Sequence, residues 1–561
     1  MKRARLSGLL IVLAIAVAGW LALAWGIEVE ALQGRTLGHF LFKAQDMPAL
    51  ILGAGALLLG AFLIRLVPDG DMRWTQRPWT VLVLILTFAL AAWAGRYWLF
   101  GNYALSRDEE VAEFAAAAMR DGYLARSIPP EWLEYRRAIM PEFFSPFGAD
   151  HYWNAAYLPL NAAFRALCGW LGDPNLAGPL FLIIGLVSLW RGALRLMPGR
   201  ADAVAVTLVM ALSSAQLLVT GMTPYAMTGH FALNMLWLAL VLRDDRLGHA
   251  GAGLVVLLLA GLHQYHYPLV FLTPFLLWFA LGRRWGALAF HAAILVLAVA
   301  LWAKLWPHLL IDWYGPPADV RPSAGVADKM ESLVERLEKW RPLLHLSRFL
   351  AWNNLLLVPL ALVGLWRMGW RAAFRGERVA LPLGLGALGM AALAIDPGYG
   401  WGYRYLHGFI GSFALLAGLG WASFKRPDAR ALWVSVLAAL LTGSFLAMRA
   451  HDYVAPYAAS HRRIMQSDAD IVLLDARGGR YVTDVGRGMD GNPLGRPVVM
   501  NLGMLNRASV DRLCDRYDVA IFDISAFGPL GVGIIPWNRK SIADLRAHMA
   551  ARGCGRIIRP F

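Results

Sequence analysis

Apolar residues along this chain come in long unbroken runs, with neither the alternation of a half-buried strand nor the stripe of a helix on a soluble core. The runs lie near 8–26, 49–66, 80–100, 174–196, 202–221, 226–242, 251–263, 266–282, 285–304, 348–366, 379–395, 405–423 and 430–448. Most approach the roughly 20 residues that a helix needs to cross a hydrocarbon core. They predict an α-helical polytopic membrane protein with about 13 transmembrane helices. The seventh and eighth runs are short and share the break "HQYHYP" at 263–268.

The polar connections fix an orientation. Basic residues gather on alternate connections: Arg65, Arg73 and Arg77; Arg191, Arg195 and Arg200; Arg243 and Arg246; Arg283 and Arg284; Arg367, Arg371, Arg375 and Arg378; Lys425, Arg426 and Arg430. Loops that stay in the cytoplasm carry such an excess. The outer side then receives the loops 101–173 and 305–347 and everything after 448. From about 449 the pattern changes. "DADIVLLDA", "RYVTDV", "RPVVMNL" and "DVAIFDIS" predict short buried strands, and "SVDRLCDRY" and "SIADLRAHMAARG" predict helices. The expected divisions are a transmembrane hairpin (1–79), a main transmembrane region (80–448) and a small extracytoplasmic α/β domain (449–561).

Composition agrees with a membrane protein: the 561 residues are 58% hydrophobic and 16% charged, with a mean hydropathy of +0.49. A net charge of +15 raises the question of nucleic acid, but arginines that punctuate apolar runs are explained by orientation, and no nucleic-acid partner is expected. Cys168, Cys514 and Cys554 fit no metal cluster. Cys514 and Cys554 can pair if their segment lies outside the cytoplasm, which spacing alone does not decide. The basic head and apolar core of "MKRARLSGLLIVLAIAVAGW" are shared by cleaved signal peptides. The length of the run and the lack of a small-x-small site favour a retained first span.

Three carboxylates, Asp108, Glu109 and Glu110, stand just past the third run in "YALSRDEEVAEFAAAAMRDG". Ser106 and Glu109 have the spacing of a capping box, and acidic residues suit the first turn of a helix. That accounts for Glu109 better than for Asp108. An acidic pair after an early span, followed by "AAYLPLNAAFRALCGWLGDP" with Tyr157 in its "Y-x-P-L", resembles the GT-C glycosyltransferases, in particular protein mannosyltransferases and the aminoarabinose transferase of lipid A. The resemblance extends from about 80 to 450 as a topology, while its motifs cover short parts.

The resemblance implies that Asp108 acts at the reaction centre, as base toward the acceptor or as organiser of the site, with Glu109 as partner. A lipid phosphate leaving group asks for positive charge rather than a general acid. Arg404 and Tyr405, in "GYRYLHGF", match an "RY" at a late span of such enzymes; Arg348 and Lys304 are further candidates for the donor phosphate. An arginine or lysine at a span end also snorkels with no other role. His263, His266 and His230 fall at outer edges, where they line the same cavity, shuttle protons or bind metal, or are simply packed polar groups. "DAD" at 468–470 copies a metal-binding DxD but precedes a strand and is expected to be a turn, and there is no "WWD".

The implied function is transfer of a sugar from a polyprenyl-phosphate donor to a lipid, glycan or protein acceptor on the outer side of a cell inner (cytoplasmic) membrane. Direct displacement with inversion is expected. Membrane lipids are the surrounding partner; no cofactor is specified and a divalent metal is left open. The rivals are a flippase of lipid-linked sugars and a non-catalytic binder of envelope glycans. A flippase tends to show internal repeats and helices broken at mid-membrane.

Overall fold

The computed structural model describes residues 2–31, 37–70, 72–139, 147–148, 151–316, 341–393, 400–425, 428–488, 491–535 and 540–559. Among them, seven helices are long and apolar enough to cross a membrane: Ser7–Trp25, Phe42–Phe62, Pro78–Trp98, Pro174–Leu196, Trp285–Tyr314, Arg404–Ala422 and Ala429–Met465. Ala201–Leu212 and Ala215–Gly221 make an eighth if taken as one span bent by 50°. The bend has a local cause, because the Ser214 hydroxyl caps the second piece by accepting from the Leu217 amide. Shorter apolar helices occupy Met227–Val241, Arg246–Ala260, His266–Leu281, Leu357–Trp366 and Ala380–Leu393. Phe62, Trp98 and Val296 expose their side chains, as lipid-facing positions do. This is the architecture of a multi-pass membrane protein.

Two predicted boundaries move. The 348–366 run is not one helix: Arg341–Ala351 stops and Leu357–Trp366 starts anew. Between them Asn354 accepts from the Leu356 amide and Asn353 reaches back to the Phe349 carbonyl, so side chains take over backbone bonds. The helix begun at Trp285 continues past 304 through a π-helical turn, Leu301–Leu305, to Tyr314, into the region predicted as outer loop. The rest of that loop, 317–340, lies outside the described residues.

The first outer loop folds into a helix, Arg107–Arg120, a small hairpin of β1 (Ala125–Ser127) with β2 (Tyr152–Asn154), and a helix, Leu160–Trp170. Pro159 does not interrupt this last helix but sits at its N-cap, where a missing N–H costs nothing. It is amphipathic, burying Ala162, Arg165 and Ala166 and exposing Leu167 and Trp170.

After the last span, β3 (Ile471–Leu474), β4 (Val498–Asn501), β5 (Val519–Phe522) and β6 (Arg556–Ile557) form a parallel sheet in the order β4-β3-β5-β6. The helices Arg507–Arg516 and Lys540–Ala551 pack together, and a Cys514–Cys554 disulfide ties the first to the chain just past the second. "RYVTDV" is not a strand. Its β-branched residues suggested one, but Tyr481 takes a left-handed φ of 51° and Val482–Val485 wind into a 3-10 turn. The turn aims the Thr483 and Asp484 carbonyls at Arg107 and Arg487. The helix Ala429–Met465 runs unbroken through the expected division at 448/449.

Candidate active site

The helix Arg107–Arg120 begins where the third span releases the chain. Ser106 is its N-cap: the Ser106 hydroxyl accepts from the Glu109 amide at 3.4 Å, and the Ser106 amide donates to Glu109 Oε2 at 2.8 Å. Glu109 is only 2% exposed, and burial raises its pKa. Its carboxylate faces the backbone.

Asp108, at the second helical position, turns the other way. Its Oδ2 accepts from Arg404 Nη1 at 2.7 Å, and its Oδ1 accepts from the Tyr157 hydroxyl. Burial, and then the Asp108 charge, push the Tyr157 phenol well above its usual pKa, which keeps Tyr157 a donor to a carboxylate. Three segments far apart in sequence thus converge on one carboxylate. Arg404 lies at the start of the 3-10 turn Arg404–Phe409 that opens the late span. Its Nη2 donates to the Tyr405 hydroxyl at 3.3 Å, and its guanidinium lies over the rings of Tyr225 and Tyr405, at 5.0 and 5.1 Å. Its Nε meets no acceptor among the described residues. Tyr225 also shares a 2.8 Å hydrogen bond with the Ser106 hydroxyl, so the platform under Arg404 is joined to the helix cap.

These groups border a cavity whose walls include Asp108, Asn154, Tyr157, His263 and Arg404, with Leu262, Trp306 and Leu310 as an apolar side. A compact charged corner and an apolar flank suit a ligand that is polar at one end only.

The other predicted residues fall as follows. His263 packs on Tyr157 at 4.2 Å with its ring tilted and lines the cavity, its Nδ1 without a hydrogen-bond partner among the described residues. His230 lies 6.4 Å from His263 and lines a smaller neighbouring space with Tyr267 and Tyr405. His266 is exposed and packs on Tyr267 at 4.7 Å. Lys304 is exposed on the π-helical turn and is not part of the cavity wall. Arg348 is 1% exposed and paired with a wholly buried Asp46 at 3.2 Å, so its charge is already neutralised. It acts on the site indirectly: its Nη2 donates to the Gly400 carbonyl at 2.6 Å. A Cβ at Gly400, whose φ is +145°, would come 2.9 Å from Arg404 Cδ. Arg348 therefore braces the loop that carries Arg404.

Tyr225, Asp46 and Arg107 belong to the site's surroundings as well, and no sequence motif marks them. Among the described residues no three of His, Cys, Asp and Glu come together as metal ligands, and both Asp108 oxygens are engaged. The described residues do not build a metal site. In "DAD", Asp468 pairs with Arg556, and Asp470 accepts from the Asp518 amide and pairs with Arg496, as a strand-leading turn would.

No family model matches the sequence, and no curated protein matches it. Among solved structures, the chain is similar to ArnT from Cupriavidus metallidurans bound to undecaprenyl phosphate, with a TM-score of 0.47, 13% identity, and coverage of 85% of this chain and 89% of that one. It is also similar to the archaeal oligosaccharyltransferase AglB from Archaeoglobus fulgidus, in complex with an inhibitory peptide and a dolichol-phosphate, at a TM-score of 0.39, 12% identity, and 70% and 59% coverage. A third is the arabinofuranosyltransferase AftD from Mycobacteria, at a TM-score of 0.34, 17% identity, and 70% and 31% coverage. Similarity of this degree assigns neither substrate nor residue; the geometry around Asp108 is what bears on function.

Proposed function

We propose that this protein is a GT-C type membrane glycosyltransferase, transferring a sugar from a polyprenyl-phosphate donor to an acceptor hydroxyl on the outer face of a cell inner membrane. The observation that supports it most is the Asp108–Arg404–Tyr157 constellation at the polar end of a half-apolar cavity. In the resting protein Asp108 and Arg404 hold each other. A donor phosphate gives Arg404 a second anion and loosens its grip on Asp108. The acceptor oxygen then attacks the anomeric carbon from the face opposite the phosphate and its proton passes to Asp108. The bond from the anomeric carbon to the phosphate oxygen breaks, and the lipid phosphate leaves with its electron pair beside Arg404. Tyr157 orients the carboxylate throughout. No step needs a metal.

Asp108→Asn keeps size and hydrogen bonding but removes the base. Purified in lipid, the variant is expected to melt like wild type and to consume donor lipid at least about 10²-fold more slowly. Near wild-type consumption would sink the reading. A flippase would move the donor across vesicles without consuming it, so the same assay separates the two.

A further inference from the structure

The helix Arg107–Arg120 divides two cavities. Asp108, Val111 and Ala115 face the one already described, while Glu110, Glu113 and Ala117 face a second. Arg165 of the helix Leu160–Trp170 and Asn175 form the opposite wall, and Arg487 closes the cavity from the segment after the last span.

Its acidic groups are already occupied. Glu110 pairs with Arg107 at 2.7 Å and Glu113 with Arg96 at 2.6 Å, and Asp173 accepts from Trp93 Nε1 and the Tyr97 hydroxyl, each at 2.7 Å. Two of its cations, Arg487 and Arg165, meet neutral acceptors instead. Among the described residues none of Arg120, Arg165 and Arg487 is in an ion pair. Arg487 directs its N–H groups to the Asp484 and Leu105 carbonyls and lies 4.5 Å over the Tyr103 ring. Arg165 is 3% exposed, yet its hydrogen bonding is confined to Asn175 Oδ1 at 3.2 Å, and its Nε has no acceptor. A guanidinium carries five N–H donors, and Glu113 and Asp173 favour the Arg165 charge without an ion pair to it, so burying it leaves donors for a further anion. Burial accordingly lowers the Arg165 pKa to about 10.

We propose that this cavity is a second ligand site that takes a hydroxyl-rich headgroup bearing a phosphate, with the phosphate on Arg165 and ring hydroxyls on Glu113 Oε2, the oxygen that does not pair with Arg96. A guanidinium fork matches phosphate oxygens, and a carboxylate oxygen accepts from ring hydroxyls. The headgroup is either free or at the end of a lipid. The inference does not depend on the transferase reading.

The test uses the full chain in phosphatidylcholine nanodiscs, titrated calorimetrically with myo-inositol 1-phosphate and with myo-inositol. A second arm follows phosphatidylinositol binding to the detergent-solubilised chain by native mass spectrometry. The phosphate-bearing probe is expected to bind and inositol alone not to. Arg165→Gln should raise Kd about tenfold or more. Asn175→Asp places a carboxylate beside Arg165 and should abolish binding while the protein stays folded. If only phosphatidylinositol binds, and the same variants abolish it, the headgroup comes from a lipid; binding of the soluble probe assigns a free one. Asp108→Asn, which tests the transferase, should bind like wild type, so the two readings fail separately. The inference is overturned if neither probe binds, or if both variants bind like wild type.

Discussion

Arg404 has two anions to serve, the Asp108 carboxylate in the resting protein and, in the proposed reaction, the donor phosphate. Arg404→Ala is expected to weaken donor-lipid binding by about tenfold or more, the size of a lost charge-assisted hydrogen bond in a protected site. Arg404→Lys should recover part of it, because a point charge replaces a bidentate fork. Donor titration of both variants checks this; wild-type affinity in the Ala variant refutes the assignment. Glu109, the residue next to Asp108, belongs to the cap. Ser106→Ala removes the side chain that accepts from the Glu109 amide and should cost about 1 kcal/mol, read as a lowered melting temperature. Glu109→Gln keeps a capping side chain and should melt near wild type with a modest loss of turnover.

At the scale of elements, the long helices were legible because a bilayer span needs a long run of apolar side chains, and few other structures do. The start at Ser106 was legible because caps are local chemistry. What the sequence hides is partnership at long range. Asp108 and Arg404 were each singled out for separate jobs, and nothing in either neighbourhood says that 296 positions apart they meet. Arg348 read as a free cation for the same reason, since its partner Asp46 lies far away in sequence, in the polar stretch before the second run. "RYVTDV" misled because propensity was outweighed by tertiary demand for two carbonyls. Helix approach in the bundle depends on small residues: a Cβ on Gly364 would lie 2.2 Å from the Leu416 carbonyl oxygen, and one on Gly420 2.1 Å from that of Leu360. Gly364→Val should therefore force the helices Leu357–Trp366 and Ile410–Ala422 apart. Folded protein recovered by size-exclusion chromatography should fall several-fold; undiminished recovery would show the contact to be looser than described.

For the whole molecule, the decisive question is which side of the membrane holds the site. The sheet β4-β3-β5-β6 is joined to the first outer loop by contacts that leave them on one side. Arg107 donates to the Thr483 carbonyl, Arg487 Nη2 donates to the Leu105 carbonyl at 3.1 Å, and Arg512 pairs with Glu134 at 2.7 Å. The side that holds one therefore holds both, together with Asp108. Two independent features support the proposed outer side. Arginines crowd the connections on the opposite face, as in Arg367, Arg371, Arg375 and Arg378. The Cys514–Cys554 disulfide suits an oxidising compartment and is rare in the cytosol. A reporter that works only in the cytoplasm, fused after Phe561, should be silent, while one fused after Arg375 should be active. Alkylation of intact cells with a membrane-impermeant maleimide should leave Cys514 and Cys554 unlabelled until a reductant is added, and then label both. Cys168, the free buried cysteine of the outer loop, should resist labelling in the folded protein. An active carboxyl-terminal reporter together with thiols that stay unlabelled after reduction would move the sheet, and with it Asp108 and Arg404, to the cytoplasmic face, where the proposed transfer to an outer acceptor has no place.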